Sequence, residues 1–129
     1  MGRFTVAVVG GSLGGLTAAC LLRDDGHDVT VYERASGELE ERGAGIGLLE
    51  ANYRYLVERM GVSLDRISVE TDHIRYLARD GSVAEDRTHR YLFSSWNTVY
   101  RALLGHHGPD RYRLGHELVD FDHDNMIIR

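Results

Sequence analysis

The chain has 129 residues, a length that suits one compact domain with its own core. Its net charge of −5 argues against nucleic acid and anionic membranes as partners, because both bind basic surfaces. All fifteen basic residues are arginines, which excludes lysine chemistry, and the single cysteine, Cys20, excludes an intrachain disulfide. Because we find neither a membrane-spanning segment nor a signal peptide, we expect a cytoplasmic protein.

The first predicted element is a strand, because Phe4 to Val9 form a nearly unbroken apolar run. Such a run is typical of a parallel strand that is buried on both faces. A glycine-rich segment, residues 10–15, follows with the sequence Gly-Gly-Ser-Leu-Gly-Gly. Leu13, Leu16 and Cys20 then recur at helical spacing, so the pattern predicts a strand, a bare turn and an amphipathic helix.

A second strand completes this unit. Gly26 ends the helix where a left-handed residue is favoured, and Asp28 to Tyr32 alternate as a strand with Glu33 at its carboxyl end. A strand, a glycine turn, a helix, a second strand and an acidic residue, all within about thirty residues, form the dinucleotide-binding βαβ unit. We expect Glu33 to accept hydrogen bonds from the ribose hydroxyls of a bound nucleotide.

The glycines of the turn suit a diphosphate for steric and electrostatic reasons. A diphosphate binds best against backbone N–H groups at a helix N-terminus, and side chains would block its approach. Gly10 permits the tight turn, Gly15 lets the helix close on the sheet, and Gly11 and Gly14 remove further bulk. The middle glycine of the usual pattern is replaced by Ser12, which can still present its N–H if its φ is negative.

A second glycine cluster follows a predicted turn over residues 34–37 and a charged stretch over residues 38–42. Gly43 to Gly47 read Gly-Ala-Gly-Ile-Gly, which fits either a solvated loop or backbone that lies close to a flat ligand. A helix is predicted next, with Leu49, Tyr53, Leu56 and Met60 on its core face and Gly61 just past its end.

An antiparallel hairpin is predicted in the middle of the chain. Asp72 to Leu77 and Ser82 to Glu85 flank the dipeptide Asp80-Gly81, which is a strong turn signal. Residues 87–95 carry no pattern that assigns a structure.

A further helix is predicted from Asn97 to Leu104, with Ser95 or Asn97 as its N-cap. Gly105, Gly108 and Pro109 should end it. Three more strands are predicted at residues 111–114, 117–121 and 125–129, the last two joined by an Asp/Asn-rich turn.

The histidines do not predict a metal site. His106 and His107 are adjacent, so their side chains diverge, and two glycines flank them in what we interpret as a loop. His116 and His123 likewise lack the spacing of metal ligands. We expect all four side chains to be solvated, and we assign no metal and no catalytic residue.

Several segments resemble the N-terminal portion of FAD-dependent aromatic-ring monooxygenases. They are Gly-Gly-Ser-Leu-Gly-Gly-Leu-Thr-Ala-Ala at residues 10–19, Val-Tyr-Glu-Arg at residues 31–34 and the glycine cluster at residues 43–47. Residues 94–100 and 108–112 are similar to the 2,6-dihydroxypyridine 3-hydroxylase branch in particular. The fold implied is α/β and Rossmann-like, a βαβ unit with a parallel sheet plus a small antiparallel hairpin, truncated at its C-terminus.

The resemblance also implies a role for individual residues. The turn residues around the FAD diphosphate would be Gly10, Gly11, Ser12, Leu13, Gly14 and Gly15. Glu33 would hold the adenosine ribose, and Arg34 would lie along the adenine side. Gly45 and Ile46 would pass near the flavin half of the cofactor, and the backbone of Leu118 would touch adenine. An arginine that opens a helix in much of the family is replaced here by Trp96.

The activity implied is an NAD(P)H-dependent hydroxylation of a small, electron-rich aromatic or N-heteroaromatic ring. We expect residues 1–129 to be the N-terminal part of one FAD-binding domain, inactive by itself, with self-association into a homo-oligomer left open. Two alternatives stand beside this interpretation. One is an NAD(P)-binding oxidoreductase or nucleotide-sensing module built on the same βαβ unit. The other is an inactive fragment that self-associates through unpaired sheet edges.

Overall fold

A computed structural model of the chain describes residues 2–37, 39 and 45–129. Two compact units emerge, a first unit of residues 1–42 and 100–129 and a second unit of residues 43–99. The elements in chain order are β1 (Thr5–Val9), α1 (Leu13–Asp24), β2 (Asp28–Glu33), β3 (Gly45–Leu48), α2 (Glu50–Glu58), α3 (Leu64–Ile67), β4 (Val69–Leu77), β5 (Val83–Ser95), α4 (Trp96–His107), a 3-10 turn (Pro109–Arg111), β6 (Tyr112–Leu114), β7 (Phe121–Asp122) and β8 (Ile127–Ile128).

The first unit is built on a parallel sheet with the strand order β1-β2-β6. β1 pairs with β2 from Thr5 opposite Asp28, and β2 pairs with β6 from Val31 opposite Tyr112. The predicted strand–helix–strand unit is therefore present, and Gly26 ends its helix with a φ of +91°.

One expectation for β1 is wrong, because this strand is not buried on both faces. Among the described strands it pairs only with β2 and so lies at the edge of its sheet. Thr5, Ala7 and Val9, which alternate along the strand and so share one face, are exposed. An apolar run thus indicates the tendency of a strand to be buried, while the elements packed on each face of the sheet decide how much of it is covered.

The core of the first unit lies between the sheet and two helices. Leu16 and Cys20 of α1 are fully buried, as are Val31 of β2 and Leu103 of α4. The thiol of Cys20 donates a hydrogen bond to the carbonyl oxygen of Leu103, 3.5 Å away, so α1 and α4 are in contact. Cys20 is a free and buried thiol, which agrees with its place in the apolar stripe of the predicted helix.

Helix α4 extends beyond its predicted end. Ser95 is the N-cap, because its hydroxyl oxygen accepts the backbone N–H of Thr98 at 3.0 Å. The prediction that Gly105 ends the helix is wrong, since α4 continues to His107 and the left-handed Gly108 (φ +93°) follows it. A glycine inside a helix costs only about 1 kcal/mol, so a helix whose neighbouring Leu103 is buried in the core can continue through it.

The second unit contains an antiparallel sheet with the order β3-β5-β4. The predicted hairpin is confirmed, with Gly81 at φ +85° in its turn, but both strands are longer than expected. Residues 87–95, which the sequence left unassigned, continue β5, and β3 was not predicted as a strand at all. α2 is close to its expected position, with Leu56 buried and Gly61 (φ +68°) beyond its end, but Leu49, which was expected on its core face, is 60% exposed.

The chain closes with a short hairpin. β7 and β8 pair antiparallel over two residues each, which is shorter than the predicted strands. Asp122 holds the turn between them by accepting the backbone N–H of Asn125 at 3.1 Å and its side-chain N–H at 3.0 Å. In the described part of the chain, no helix combines the length and the apolar character that a bilayer crossing demands.

Candidate functional site

The carboxyl ends of three parallel strands meet at one edge of the first unit. β1 ends at Val9, β2 at Glu33 and β6 at Leu114, and α1 begins directly after the turn that follows β1. Ligands of open α/β sheets bind outside the carboxyl ends of the strands. This edge is therefore where the chemistry of the first unit is expected.

Two glycines in the turn are required by the protein itself. Gly10 has a φ of +95°, a conformation that other residues rarely adopt, and its N–H donates to the carbonyl oxygen of Tyr32 at 2.8 Å. A Cβ on Gly15 would overlap the carbonyl oxygen of Gly10. The steric roles predicted for Gly10 and Gly15 are both present in the structure.

The other two glycines of the turn differ from each other. A Cβ on Gly11 would overlap the phenol ring of Tyr112, so its missing side chain makes room for a tyrosine of the protein. A Cβ on Gly14 would meet no atom within 4 Å. Gly11 is thus needed by the fold, and a role for Gly14 toward a ligand stays a prediction.

The start of α1 presents backbone donors. Ser12 is the N-cap with a φ of −75°, the negative value that its predicted role requires, and its side chain makes no capping hydrogen bond. The N–H groups of Leu13, Gly14 and Gly15 belong to the first turn, where an α-helix offers them no acceptor. No acidic residue lies in that turn, so the partial positive charge of the helix end is not neutralised from within.

Glu33 lies beside this turn and is only 8% exposed. One carboxylate oxygen accepts the N–H of Gly11 at 2.8 Å, and the other accepts the N–H of Ala35 at 2.9 Å. Carboxylate oxygens accept hydrogen bonds, which is the property that the hydroxyl groups of a ribose require of a partner. The turn and the acidic residue, twenty-two positions apart in sequence, are thereby joined directly.

A surface cavity brings several of the predicted site residues together. Gly10, Glu33, Arg34 and Leu118 line it, and these four residues come from three separate segments of the chain. Residues that the sequence did not single out, namely Val9, Tyr32, His116 and Glu117, complete its walls. The cavity thus groups Gly10, which was expected at the diphosphate, with three residues that were expected around the adenosine.

Tyr32 and His116 form one wall of this cavity. Their rings meet edge to face, with centroids 5.7 Å apart and an angle of 62°. The backbone N–H of His116 donates to the carbonyl oxygen of Glu33 at 2.9 Å, and its Nδ1–H donates to the carbonyl oxygen of Leu114 at 2.7 Å. The place of Tyr32 and His116 could have been predicted from the sequence, because residues at or just after the end of a parallel strand lie at the carboxyl edge of the sheet.

The remaining predicted residues lie in the second unit. Gly45 and Ile46 are on β3, opposite Ser95 and Ser94 of β5. The rest of the second glycine cluster, Gly43 and Ala44, lies outside the described residues. Trp96 opens α4, the position expected for it. The proximity of Gly45 and Ile46 to a flavin stays a prediction.

His107 is not solvated, and that expectation is wrong. Its side chain is fully buried at the end of α4, and its Nε2–H donates to the carbonyl oxygen of Arg111 at 3.2 Å. Nδ1 has no hydrogen-bond partner among the described residues. Burial lowers the pKa of His107, so the imidazole is neutral near pH 7. The described residues contain no group of three or more metal-ligating side chains.

Comparisons with known proteins place this geometry in context. The family model of NAD(P)-binding Rossmann-like domains matches residues 8–37. The 2,6-dihydroxypyridine 3-monooxygenase of Paenarthrobacter nicotinovorans is 40% identical over 96% of this chain, which covers 31% of that protein. The solved structure of 2,6-dihydroxypyridine-3-hydroxylase from Arthrobacter nicotinovorans superposes with a TM-score of 0.85 at 39% identity, over 96% of this chain and 31% of that one.

A further solved structure, the tetrameric form of 2-methyl-3-hydroxypyridine-5-carboxylic acid oxygenase, matches with a TM-score of 0.76 at 25% identity. The match covers 93% of this chain and 33% of that protein. The chain thus spans about a third of the length of the relatives it matches. The Rossmann-like α/β fold and the resemblance to FAD-dependent monooxygenases of the 2,6-dihydroxypyridine 3-hydroxylase branch are confirmed.

Proposed function

We propose that this chain is the FAD-binding portion of an NAD(P)H-dependent flavoprotein monooxygenase that hydroxylates an electron-rich aromatic or N-heteroaromatic ring. The observation that carries the proposal is the joining of the glycine turn to Glu33 by a direct hydrogen bond at the carboxyl edge of a parallel sheet. The similarity to a dihydroxypyridine monooxygenase over 96% of the chain supports the same choice. A pyridine ring is therefore the substrate class that we favour.

The described residues fit the adenosine diphosphate half of FAD. Ser12 and Leu13 present backbone N–H groups to the diphosphate, and Gly10 and Gly15 allow the chain to turn tightly beneath it. The carboxylate of Glu33, which lines the cavity, is the hydrogen-bond acceptor that we assign to the ribose hydroxyls.

Four residues of the cavity then suit the adenine. Arg34 is exposed and lines the cavity together with Leu118. The edge-to-face pair of Tyr32 and His116 offers an aromatic wall to a flat base. Gly11 and Gly14 belong to the same turn, while Gly45 and Ile46 are assigned to the flavin half on the resemblance alone.

The bound flavin supplies the redox and oxygen chemistry, and this chain binds and orients the cofactor. NAD(P)H is the proposed electron donor and a small aromatic molecule the proposed substrate. A relative is recorded in tetrameric form, so a homo-oligomer is part of the proposal. We place the protein in the cytoplasm.

A titration of the purified chain with FAD and with NADH tests the proposal. Flavin fluorescence and isothermal titration calorimetry should show weak FAD binding, because the chain spans only about a third of its relatives. The similarity of residues 8–37 to NAD(P)-binding Rossmann-like domains supports the alternative, an NAD(P)-binding module. Tighter binding of NADH than of FAD would favour that alternative, and binding of neither would contradict the proposal.

A variant that removes the charge of Glu33 tests the role of this residue in FAD binding. Glu33→Gln keeps the shape of the side chain but loses two charge-assisted acceptors, so FAD affinity should fall about tenfold or more. Glu58→Gln, an exposed position on α2, is the matched control and should bind FAD like the unsubstituted chain. Light scattering over a concentration series tests the alternative of an inactive fragment that self-associates through the exposed edge of β1.

A further inference from the structure

A chain of buried hydroxyl groups lies beneath the glycine turn. The backbone N–H of Leu39 donates to Oη of Tyr100 at 3.4 Å, and the Tyr100 hydroxyl donates to Oη of Tyr112 at 3.3 Å. The Tyr112 hydroxyl donates in turn to the carbonyl oxygen of Gly11 at 2.9 Å. Tyr100 is fully buried and Tyr112 is 8% exposed, so these hydrogen bonds are shielded from water.

The last hydrogen bond sets the direction of a neighbouring group. A trans peptide is planar, with its C=O and N–H pointing in opposite directions. Because the C=O of Gly11 is held by Tyr112 on the protein side, the N–H of Ser12 in the same peptide points away from Tyr112. That N–H lies at the N-cap of α1, where a diphosphate would bind.

The preceding peptide is fixed independently. The N–H of Gly11 donates to Glu33, and the carbonyl oxygen of Gly10 lies against Gly15. Tyr112 therefore controls one peptide of the turn that no other described contact orients. Gly11 and Tyr112 also form a matched pair, since any larger residue at position 11 would overlap the phenol ring.

We propose that Tyr112 is a positioning residue for the diphosphate, and that its hydroxyl holds the Ser12 N–H in the direction that an anionic ligand requires. This inference rests on the proposed function of the turn. Without the hydroxyl, the buried carbonyl of Gly11 loses its donor, and the peptide is free to rotate toward another partner. The cost should then appear in the binding of the diphosphate rather than of the nucleoside.

The experiment compares ADP with adenosine as probes of Tyr112→Phe, which keeps the ring and removes only the hydroxyl. Calorimetry should show about a tenfold loss of ADP and FAD affinity, the range expected for one lost hydrogen bond, with adenosine affinity unchanged. Tyr76→Phe, at an exposed position in the second unit, should alter neither affinity. Circular dichroism tests whether both variants fold.

The possible outcomes distinguish a failure of this inference from a failure of the proposed function. If the unsubstituted chain binds neither ADP nor FAD, the proposed function fails first. If it binds ADP, and Tyr112→Phe binds ADP equally well or loses ADP and adenosine affinity in parallel, the positioning role is overturned. Should the variant not fold, amide NMR of the unsubstituted chain decides. ADP should then shift the Ser12 resonance strongly, and an unresponsive Ser12 overturns the inference.

Discussion

The two units of the chain differ in how their elements are held. Helices α1 and α4 of the first unit bury Leu16, Cys20 and Leu103 against a parallel sheet, so distant segments share one core. In the second unit, residues 79–90 at the end of the long hairpin are all exposed. That hairpin rests on backbone pairing and on cross-strand contacts such as Arg75–Asp86. Packing therefore dominates the region of the glycine turn, whereas local pairing dominates the hairpin.

The largest difference in stability between variants of the two units is expected when one leucine in each unit is replaced by alanine. Leu103→Ala removes a side chain that is 1% exposed and should lower the free energy of unfolding by about 2–5 kcal/mol. Leu77→Ala removes one that is 65% exposed and should cost no more than about 0.5 kcal/mol. Urea denaturation followed by circular dichroism measures both, and equal losses would remove the distinction between the units.

Two glycine substitutions probe the turn at a finer scale. Gly15→Ala places a methyl group against the carbonyl oxygen of Gly10 and should cost about 1–3 kcal/mol, along with most of the FAD affinity. Gly14→Ala meets open space in a helix and should be neutral or stabilising by up to about 1 kcal/mol. Thermal melts and FAD titrations of the two variants check this order, and a harmless Gly15→Ala would contradict the described packing.

The buried His107 should give the first unit a pH dependence. Burial lowers its pKa in the folded state below the unfolded value of about 6.5, and the nearby Arg23 lowers it further. Since the unfolded chain then binds the proton more readily, stability is full above pH 6.5 and declines as the pH falls from there toward the folded pKa.

The substitution His107→Gln should therefore flatten the decline in unfolding free energy below about pH 6.5. Thr88→Gln, at an exposed position in the hairpin and without a titratable side chain, is the control and should leave the slope as it is. Denaturation midpoints across that pH range give the slopes, and an unchanged slope for His107→Gln would rule out the buried neutral imidazole.

The smallest effect is expected at the ion pair of the hairpin. Nε of Arg75 lies 2.8 Å from a carboxylate oxygen of Asp86, but both side chains are well exposed. Such pairs contribute about 0.2–1 kcal/mol at most, and salt screens them. Arg75→Ala should lower the unfolding free energy by less than about 0.5 kcal/mol at high salt. A larger loss would show that the hairpin depends on its charges.

The parts of the fold that the sequence predicted are those set by nearby residues. Gly10, Gly15, Gly26 and Glu33 identify the βαβ unit because their spacing follows from one strand, one helix and one turn. The strand over residues 87–95 had no such signal, because much of β5 is exposed on both faces and shows no alternation.

The features that the sequence did not predict depend on contacts between distant segments of the chain. The burial of His107 depends on residues from other segments, and the two glycines beside it favoured a loop instead. Tyr112 reaches Gly11 across 101 positions, and a single strand tyrosine gives no indication of its partner. Tyr32 and His116 likewise become neighbours only when β2 and β6 pair in register.

The most direct test of the central claim is a competition measured by calorimetry. If the glycine turn and Glu33 hold the adenosine diphosphate half of FAD, then ADP should displace FAD from the chain, while FMN, which lacks that half, should neither bind to this site nor compete for it. FMN binding as tight as that of FAD, or FAD binding that ADP leaves untouched, would contradict the account.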